Sequence, residues 1–399
     1  MSGYDAIVVG GRCGGSMLAL AMANAGAKVL VIDKDELGSD TLSTHFVFPN
    51  TIARLDQLGV LGRLEQRHEL RPVMYGARIL GREVAGTFTP IEGHDRALGI
   101  TRPTLDRALG EAAIDAGAEM RFGVKVTGVA GSGTDGDPVS GVELEDGSRV
   151  EAPWVIGADG RASFVARALE LDKRERMSAD ISMLFAYFRG LPDADHFWLD
   201  VDERRGVNWM PCEDGIDLLV AFGHPDFSHG DAETRRRRLL GTLHDFPDVF
   251  YPGALDDAEM ISEVRVVPEP MLHGFFRQAA GPGWALVGDA GHFKHPATAQ
   301  GISDAIEQAL YVADALGGAD PDLSGYEAWR DQRAAGHYDW SFRFGSMPKT
   351  ETAGPIFDGV SADPAIGQQF RDTLSRTADP RDLFTPQRLE HWFAASAAG

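Results

Sequence analysis

The sequence predicts an α/β protein: a parallel sheet flanked by helices, an interleaved and mostly antiparallel second sheet, and a helical C-terminal segment. Three observations predict it. Apolar runs at residues 29–32, 154–158 and 284–288 each lead into an acid, Asp33, Asp159 and Asp289. Runs of this kind are buried on both faces, as strands of a parallel sheet are. Residues 181–267 change character to aromatic and β-branched segments, the pattern of an antiparallel sheet. From Ile302 onward the chain reads largely as helix.

The first thirty residues organise the rest. Ala6–Val9 is a short buried strand. Residues 16–25 are small and apolar and suit a tightly packed helix, which begins near Cys13 and ends at Gly26. Val29–Ile32 is the next strand and closes on Asp33. Strand, glycine loop, helix, strand and acid in that order make a Rossmann-like βαβ dinucleotide unit. Gly10 lets the chain turn sharply out of the strand, and Gly15 lets helix and strand pack closely. The helix start offers free N–H groups and a positive dipole end to a pyrophosphate. Asp33 is placed to accept hydrogen bonds from ribose hydroxyls. Lys34, beside it, suits a 2′-phosphate, although the acid favours a free ribose. The loop reads Gly10-Gly11-Arg12-Cys13-Gly14-Gly15, so Arg12 replaces the middle glycine of G-x-G-x-x-G. Its side chain is expected to turn away from the loop, toward a phosphate or the edge of the bound group.

The remaining elements follow in order. A helix is predicted over 49–58, ending at Gly59, then a hairpin from strands over 73–79 and 83–89. Thr101 caps a second helix with Pro103 in its first turn. A strand over 124–129 and a hairpin over 139–151 precede the run that ends in Asp159. A helix over 163–169 comes next. Strands over 183–189, 197–201, 206–210, 216–223 and 260–267 follow, interrupted by a charged helix over 231–243. After Asp289 a polar loop feeds a helix over 302–316, and the tail from Tyr326 reads as helical at first and then looser. The expected division is a discontinuous nucleotide-binding domain (1–72, 96–180 and 270–325), a sheet domain (73–95 and 181–269) and a C-terminal helical segment (326–399).

Composition narrows the function. The formal net charge of −22 makes nucleic acids and anionic membranes poor partners. No apolar run is long enough to span a bilayer. The chain enters its first strand by residue 6, which leaves no room for a signal peptide. The two cysteines, Cys13 and Cys212, lie far apart, so a structural disulfide is not expected. No histidine and cysteine spacing suggests zinc. These features point to a cytoplasmic protein of unspecified oligomeric state.

Three separated stretches now share one pattern: the βαβ unit with Asp33, the run Gly157-Ala-Asp159-Gly160-Arg-Ala-Ser163-Phe-Val165, and Gly288-Asp289 through Pro296 to Gly301. Together they resemble the FAD-dependent oxidoreductases of the para-hydroxybenzoate hydroxylase fold, the group A flavin monooxygenases and their relatives. The resemblance spans most of residues 4–316. It implies that FAD occupies the βαβ unit and that NAD(P)H visits transiently. It places Asp289 on the ribityl hydroxyls, Pro296 against the flavin, and Gly301 and Ile302 at a helix start facing the pyrimidine edge. Arg102 matches a position that reaches the FAD phosphates, and Asp159 one that serves FAD and NAD(P)H. Val126 completes the candidate cofactor set. Two departures stand out. Ala166 takes the place of a frequent arginine, and Thr44 and His45 stand near where some members carry a flavin-contacting arginine.

The function implied is an NAD(P)H-using monooxygenase that transfers oxygen from O2, through a flavin C4a-hydroperoxide, to an organic small molecule of aromatic or polyketide type. The flavin carries the hard step, so no catalytic side chain is assigned. Candidate substrate contacts are Tyr187, Trp209, Phe222 and His292, and the sheet face that carries the first three is expected to close over the flavin opposite Pro296. Tyr187 and Trp209 also read as sheet core, His292 and His295 as ordinary loop histidines, and residues 235–238 as a solvated helix face. Rival activities share the fold. A reductase of alkene or isoprenoid substrates is the first alternative. A halogenase is disfavoured because no lysine lies between Lys34 and Lys125 and residues 207–211 hold one tryptophan. A non-catalytic FAD-binding accessory protein comes last.

Overall fold

The computed structural model describes residues 3–41, 43, 45–250 and 253–398. Its central sheet runs in the order Ala280–Gly281, Trp284–Leu286, Val155–Gly157, Ala6–Val9, Val29–Ile32, Glu119–Arg121. Every pairing is parallel except that of the first two strands. Alternation along each strand feeds two cores. Ala6 and Val8 join the core that holds the Cys13–Asn24 and Gly301–Gly317 helices, while Ile7 and Val9 join the opposite one. That opposite face is covered by a meander of Val126–Ala130, Gly141–Leu144 and Arg149–Glu151. Because the main strands are parallel, their C-terminal ends share one edge, and Asp33, Asp159 and Asp289 all follow that edge.

The larger sheet has ten strands. Its path is Glu259–Met260, Ser182–Arg189, Asp217–Gly223, Arg205–Pro211, His196–Val201, Pro72–Ile79, Ala97–Gly99, Phe46–Val47. Arg265–Val267 and Arg82–Gly86 pair off this path. The sheet is antiparallel except where His196–Val201 meets Pro72–Ile79. One face packs on the Ala232–His244 helix through Leu184, Ala186, Leu219 and Leu239. The other faces the C-terminal helices.

Three local expectations are corrected. The strand expected over 260–267 is two short ones, because the Ser262 hydroxyl takes the ladder position and accepts from Tyr187 N at 2.9 Å. The strand expected over 83–89 ends at Gly86, whose φ is +142°. Beyond it Thr89 N donates to the Asp372 carboxylate at 2.9 Å rather than to a neighbouring strand. The tail does not loosen. It continues as helices Tyr326–Gly345, Thr350–Ala362, Pro364–Leu374, Pro380–Leu383 and Pro386–Ala398. Prolines at the starts, with Asp363 and Asp379 capping two of them, make short helices from a stretch that looks irregular in sequence.

Candidate functional site

At the shared edge the dinucleotide loop lies directly on the end of the neighbouring strand. Gly10 has φ +102°, and a Cβ there would sit 2.5 Å from Ala158 O. A Cβ on Gly15 would sit 1.8 Å from Gly10 O, so helix and loop meet without room for any side chain. Asp33 ties the loop down: Gly11 N donates to it at 2.6 Å and Asp35 N at 2.9 Å. Each carboxylate oxygen keeps further acceptor capacity. The Cys13–Asn24 helix carries no acid in its first turn, so its positive end is uncompensated from within.

The other candidates divide. Arg102 is buried beside that helix start, donating to Asp106 at 2.9 Å and to Cys13 Sγ at 3.6 Å. Arg12 does turn away from the loop, but it meets Asp35 at 3.2 Å and Ser39 O at 3.1 Å, so protein groups already engage its guanidinium. Lys34 is exposed. Asp159 accepts from Phe164 N at 2.6 Å and Val165 N at 3.2 Å, while its other oxygen is buried without a partner among the described residues. Val126 is buried between the meander and the sheet, in the core that also holds Val9 and Ile32. Thr44 lies outside the described residues.

Asp289 faces the start of the Gly301–Gly317 helix: its Oδ1 would be 4.0 Å from a Cβ on Gly301. Burial, reinforced by Asp304 and opposed by Arg102, Arg161 and Lys294, raises its pKa to about 6. Pro296 opens a single turn, Pro296–Thr298, and Ala299 follows at φ +50°. Ile302 is buried in the helix beyond.

That turn is braced by residues the sequence reading did not select. Lys294 meets Asp304 at 2.6 Å and donates to Gln300 at 3.1 Å. Gln300 donates to the carbonyls of Thr373 and Leu374 at 2.9 and 3.1 Å. Arg376 pairs with Asp304 and, at 3.1 Å, with Glu307. Lys294 and Gln300 sit in a loop of small and aromatic residues, and that contrast was the available signal.

Of the four substrate candidates, one lines the substrate-sized cavity. Its volume is 720 Å³ and it lies between the large sheet and the C-terminal helices, reaching Ala297 beside Pro296. Phe222 is on its wall. Tyr187 is on the same sheet face, but its hydroxyl pairs with His45 Nε2 at 2.5 Å and lies 3.4 Å from Asp40. His45, at φ +56°, is fully buried, and burial first, then Arg102 and Arg265, lower its pKa to about 3. His292 is core, packed on Phe276 at 4.8 Å with Gln308 at 3.4 Å from its Nδ1. Trp209 is a correction. It points to the back of the sheet, stacked on Phe250 at 5.6 Å, with Nε1 donating to Asp217 at 2.9 Å. Parity explains it: Trp209 pairs with Leu219 and so shares the back face, whereas Asn208 and Met210 take the front. The opposite wall of the cavity is also a correction, since helices of the tail supply it through residues such as Trp340 and Phe357. Trp209→Ala is therefore expected to cost about 3–5 kcal/mol of stability, as core aromatic truncations do, and to leave ligand affinity in the cavity unchanged. Chemical denaturation alongside ligand titration checks both halves.

Among the described residues no helix is long and apolar enough to cross a membrane. Comparison with known proteins bears on the rest. A model of the FAD binding domain family matches residues 3–340. The chain is 26% identical over 326 residues to a menaquinone reductase of Mycolicibacterium smegmatis, covering 78% of this chain and 76% of that one. It is 28% identical over 385 residues to the FAD-dependent monooxygenase pynG of Aspergillus niger, covering 85% and 86%. In structure it resembles a flavoprotein/dehydrogenase from Cytophaga hutchinsonii, with TM-score 0.79, 16% identity and coverage of 100% and 98%.

Proposed function

This chain belongs to the FAD binding domain family, and we propose that it is an NAD(P)H-consuming FAD monooxygenase acting on an organic small molecule. The observation that carries the reading is the position of the 720 Å³ cavity, which reaches Ala297 in the turn that precedes the Gly301–Gly317 helix. A cofactor with a ring at that turn would present it to the cavity.

The residues fit FAD. The Gly10 and Gly15 loop packs backbone against backbone with no Cβ in the way, which leaves the N–H groups of the helix start for a pyrophosphate, and Arg102, paired with Asp106, lies buried beside that start. Asp33 has acceptor capacity left for a ribose, and Asp159 holds a buried oxygen without a partner among the described residues. Asp289 would accept from the ribityl chain, and the start of the Gly301–Gly317 helix would face the ring with its positive end. Bound FAD supplies hydride acceptance from NAD(P)H and activation of O2. The protein's own part is to bind and orient the two reactants and to limit water around them, to which the apolar walls around Phe222, Trp340 and Phe357 contribute. The absence of a membrane-crossing helix among the described residues agrees with a cytoplasmic location.

The purified protein is expected to be yellow, to release FAD on denaturation, and to consume NAD(P)H and O2 together in the presence of substrate. A colourless protein that takes up no added FAD would sink the cofactor assignment. The menaquinone reductase relative supplies a second reading. NAD(P)H oxidation that needs a quinone and runs equally without O2 would favour it over oxygen transfer.

A further inference from the structure

Asn208 is the odd residue of the cavity wall. It lies mid-strand on the front face, opposite Leu199 on one side and Val220 on the other. Both neighbours belong to the apolar cluster beneath the C-terminal helices. Its Oδ1 is buried and has no hydrogen-bond partner among the described residues. Leaving a buried amide oxygen unpaired costs about 1–3 kcal/mol, and a turn of the amide would bring it to a partner that enters the cavity. The two hydroxyl side chains on the wall are already engaged: Ser346 donates to Phe342 O at 2.9 Å and Thr352 to Lys349 O at 3.3 Å.

The charges of the wall tell the rest. Asp180, Asp339, Arg343, Lys349 and Arg381 are all exposed, and Arg381 is paired with Asp379 at 2.6 Å. No buried cation among the described lining residues is available to neutralise a carboxylate inside. Burying an anion there without a partner is strongly unfavourable. The volume of 720 Å³ lies well within the ~300–1,000 Å³ range of cavities that hold drug-sized ligands, so several fused rings fit.

We propose that Asn208 is the polar anchor of this cavity, and that the cavity takes an uncharged, fused-ring aromatic compound whose ring-borne oxygen, phenolic or quinonoid, pairs with the Asn208 amide. An amide both donates and accepts, so it serves either oxygen. Asn208 thereby selects which face and end of the ring system enter toward Ala297. The inference rests on the reading of this cavity as the substrate site of the monooxygenase.

The test uses the FAD-loaded protein without NAD(P)H, titrated with 2-hydroxyanthracene, anthracene and anthracene-2-carboxylate while the flavin absorbance is followed. The hydroxylated probe is expected to bind at least about tenfold more tightly than the carboxylate. Asn208→Leu should weaken the hydroxylated probe about tenfold, the equivalent of one hydrogen bond, and leave anthracene unchanged or tighter. Asn208→Ala should give the same contrast between probes if the leucine variant does not fold. Equal weakening of both neutral probes, no change in either, equal binding of the carboxylate, or no binding of the hydroxylated probe to the unaltered protein each overturns the proposal. Stimulation of NAD(P)H oxidation is measured separately. Its absence beside an intact probe contrast sinks the monooxygenase reading and leaves Asn208 as the anchor.

Discussion

Gly15→Ala is expected to abolish stoichiometric FAD binding. The added methyl group would lie 1.8 Å from Gly10 O and 3.1 Å from Val8 Cγ1. The first of these is a backbone atom, so no rotamer change relieves the contact, and the loop itself must move. Gly10 cannot yield easily, because its own φ of +102° and its closeness to Ala158 O fix it on the neighbouring strand. A displaced loop aims its N–H groups away from the pyrophosphate. Hydrogen bonds to a charged group contribute about 1.5–3 kcal/mol each, so losing two weakens binding about a hundredfold or more. Flavin content after purification and FAD titration measure the effect, with circular dichroism to confirm that the fold survives. A Gly15→Ala protein that keeps one FAD per chain would show that this loop does not hold the pyrophosphate.

Much of this site was legible because its signals are local. A glycine at Gly10 or Gly15 is needed whatever the rest of the chain does, and an acid that ends a buried strand can be read from five residues. The parallel pairing then does the assembly. Once residues 6–9, 29–32, 155–157 and 284–286 are adjacent parallel strands, Asp33, Asp159 and Asp289 must come to one edge. The substrate side was less legible because it depends on parity and on distant partners. Trp209 and Phe222 look alike in sequence, yet one residue of register places them on opposite faces of the same sheet. The later tail was read as loosening because prolines open three of its helices and interrupt a fourth, Thr350–Ala362. Their apolar faces make sense only against the sheet they cover, through contacts such as Arg371 with the carbonyls of Ala85 and Thr87. Arg376 was illegible for the same reason, since its partners Asp304 and Glu307 are about seventy residues away.

Asp289 is expected to affect stability and affinity in opposite directions. Its carboxylate is desolvated and sits near Asp304, and the opposing cations Arg102, Arg161 and Lys294 do not fully compensate, so its folded pKa rises from the ordinary 3.8 to about 6. A raised carboxylate pKa means that the folded chain holds this proton more tightly than the unfolded chain. The ionised group is therefore a burden on the cofactor-free fold. The burden is absent below pH 3.8, grows between 3.8 and about 6, and is complete above that. Asp289→Asn keeps the shape and removes the charge, so the cofactor-free variant should be more stable than the unaltered protein by roughly 1–3 kcal/mol at pH 8. The advantage should shrink as the pH falls from 6 toward 4. The same charge is what ribityl hydroxyls would exploit. Asp289→Ala, which removes the acceptor altogether, should weaken FAD binding about tenfold to a hundredfold, the range of charge-assisted hydrogen bonds. Thermal unfolding of the cofactor-free proteins at pH 5 and pH 8, paired with FAD titration, reads both effects. A carboxylate kept for structure alone would give the reverse pattern, with lower stability on substitution and unchanged FAD affinity, and that outcome would remove Asp289 from the cofactor site.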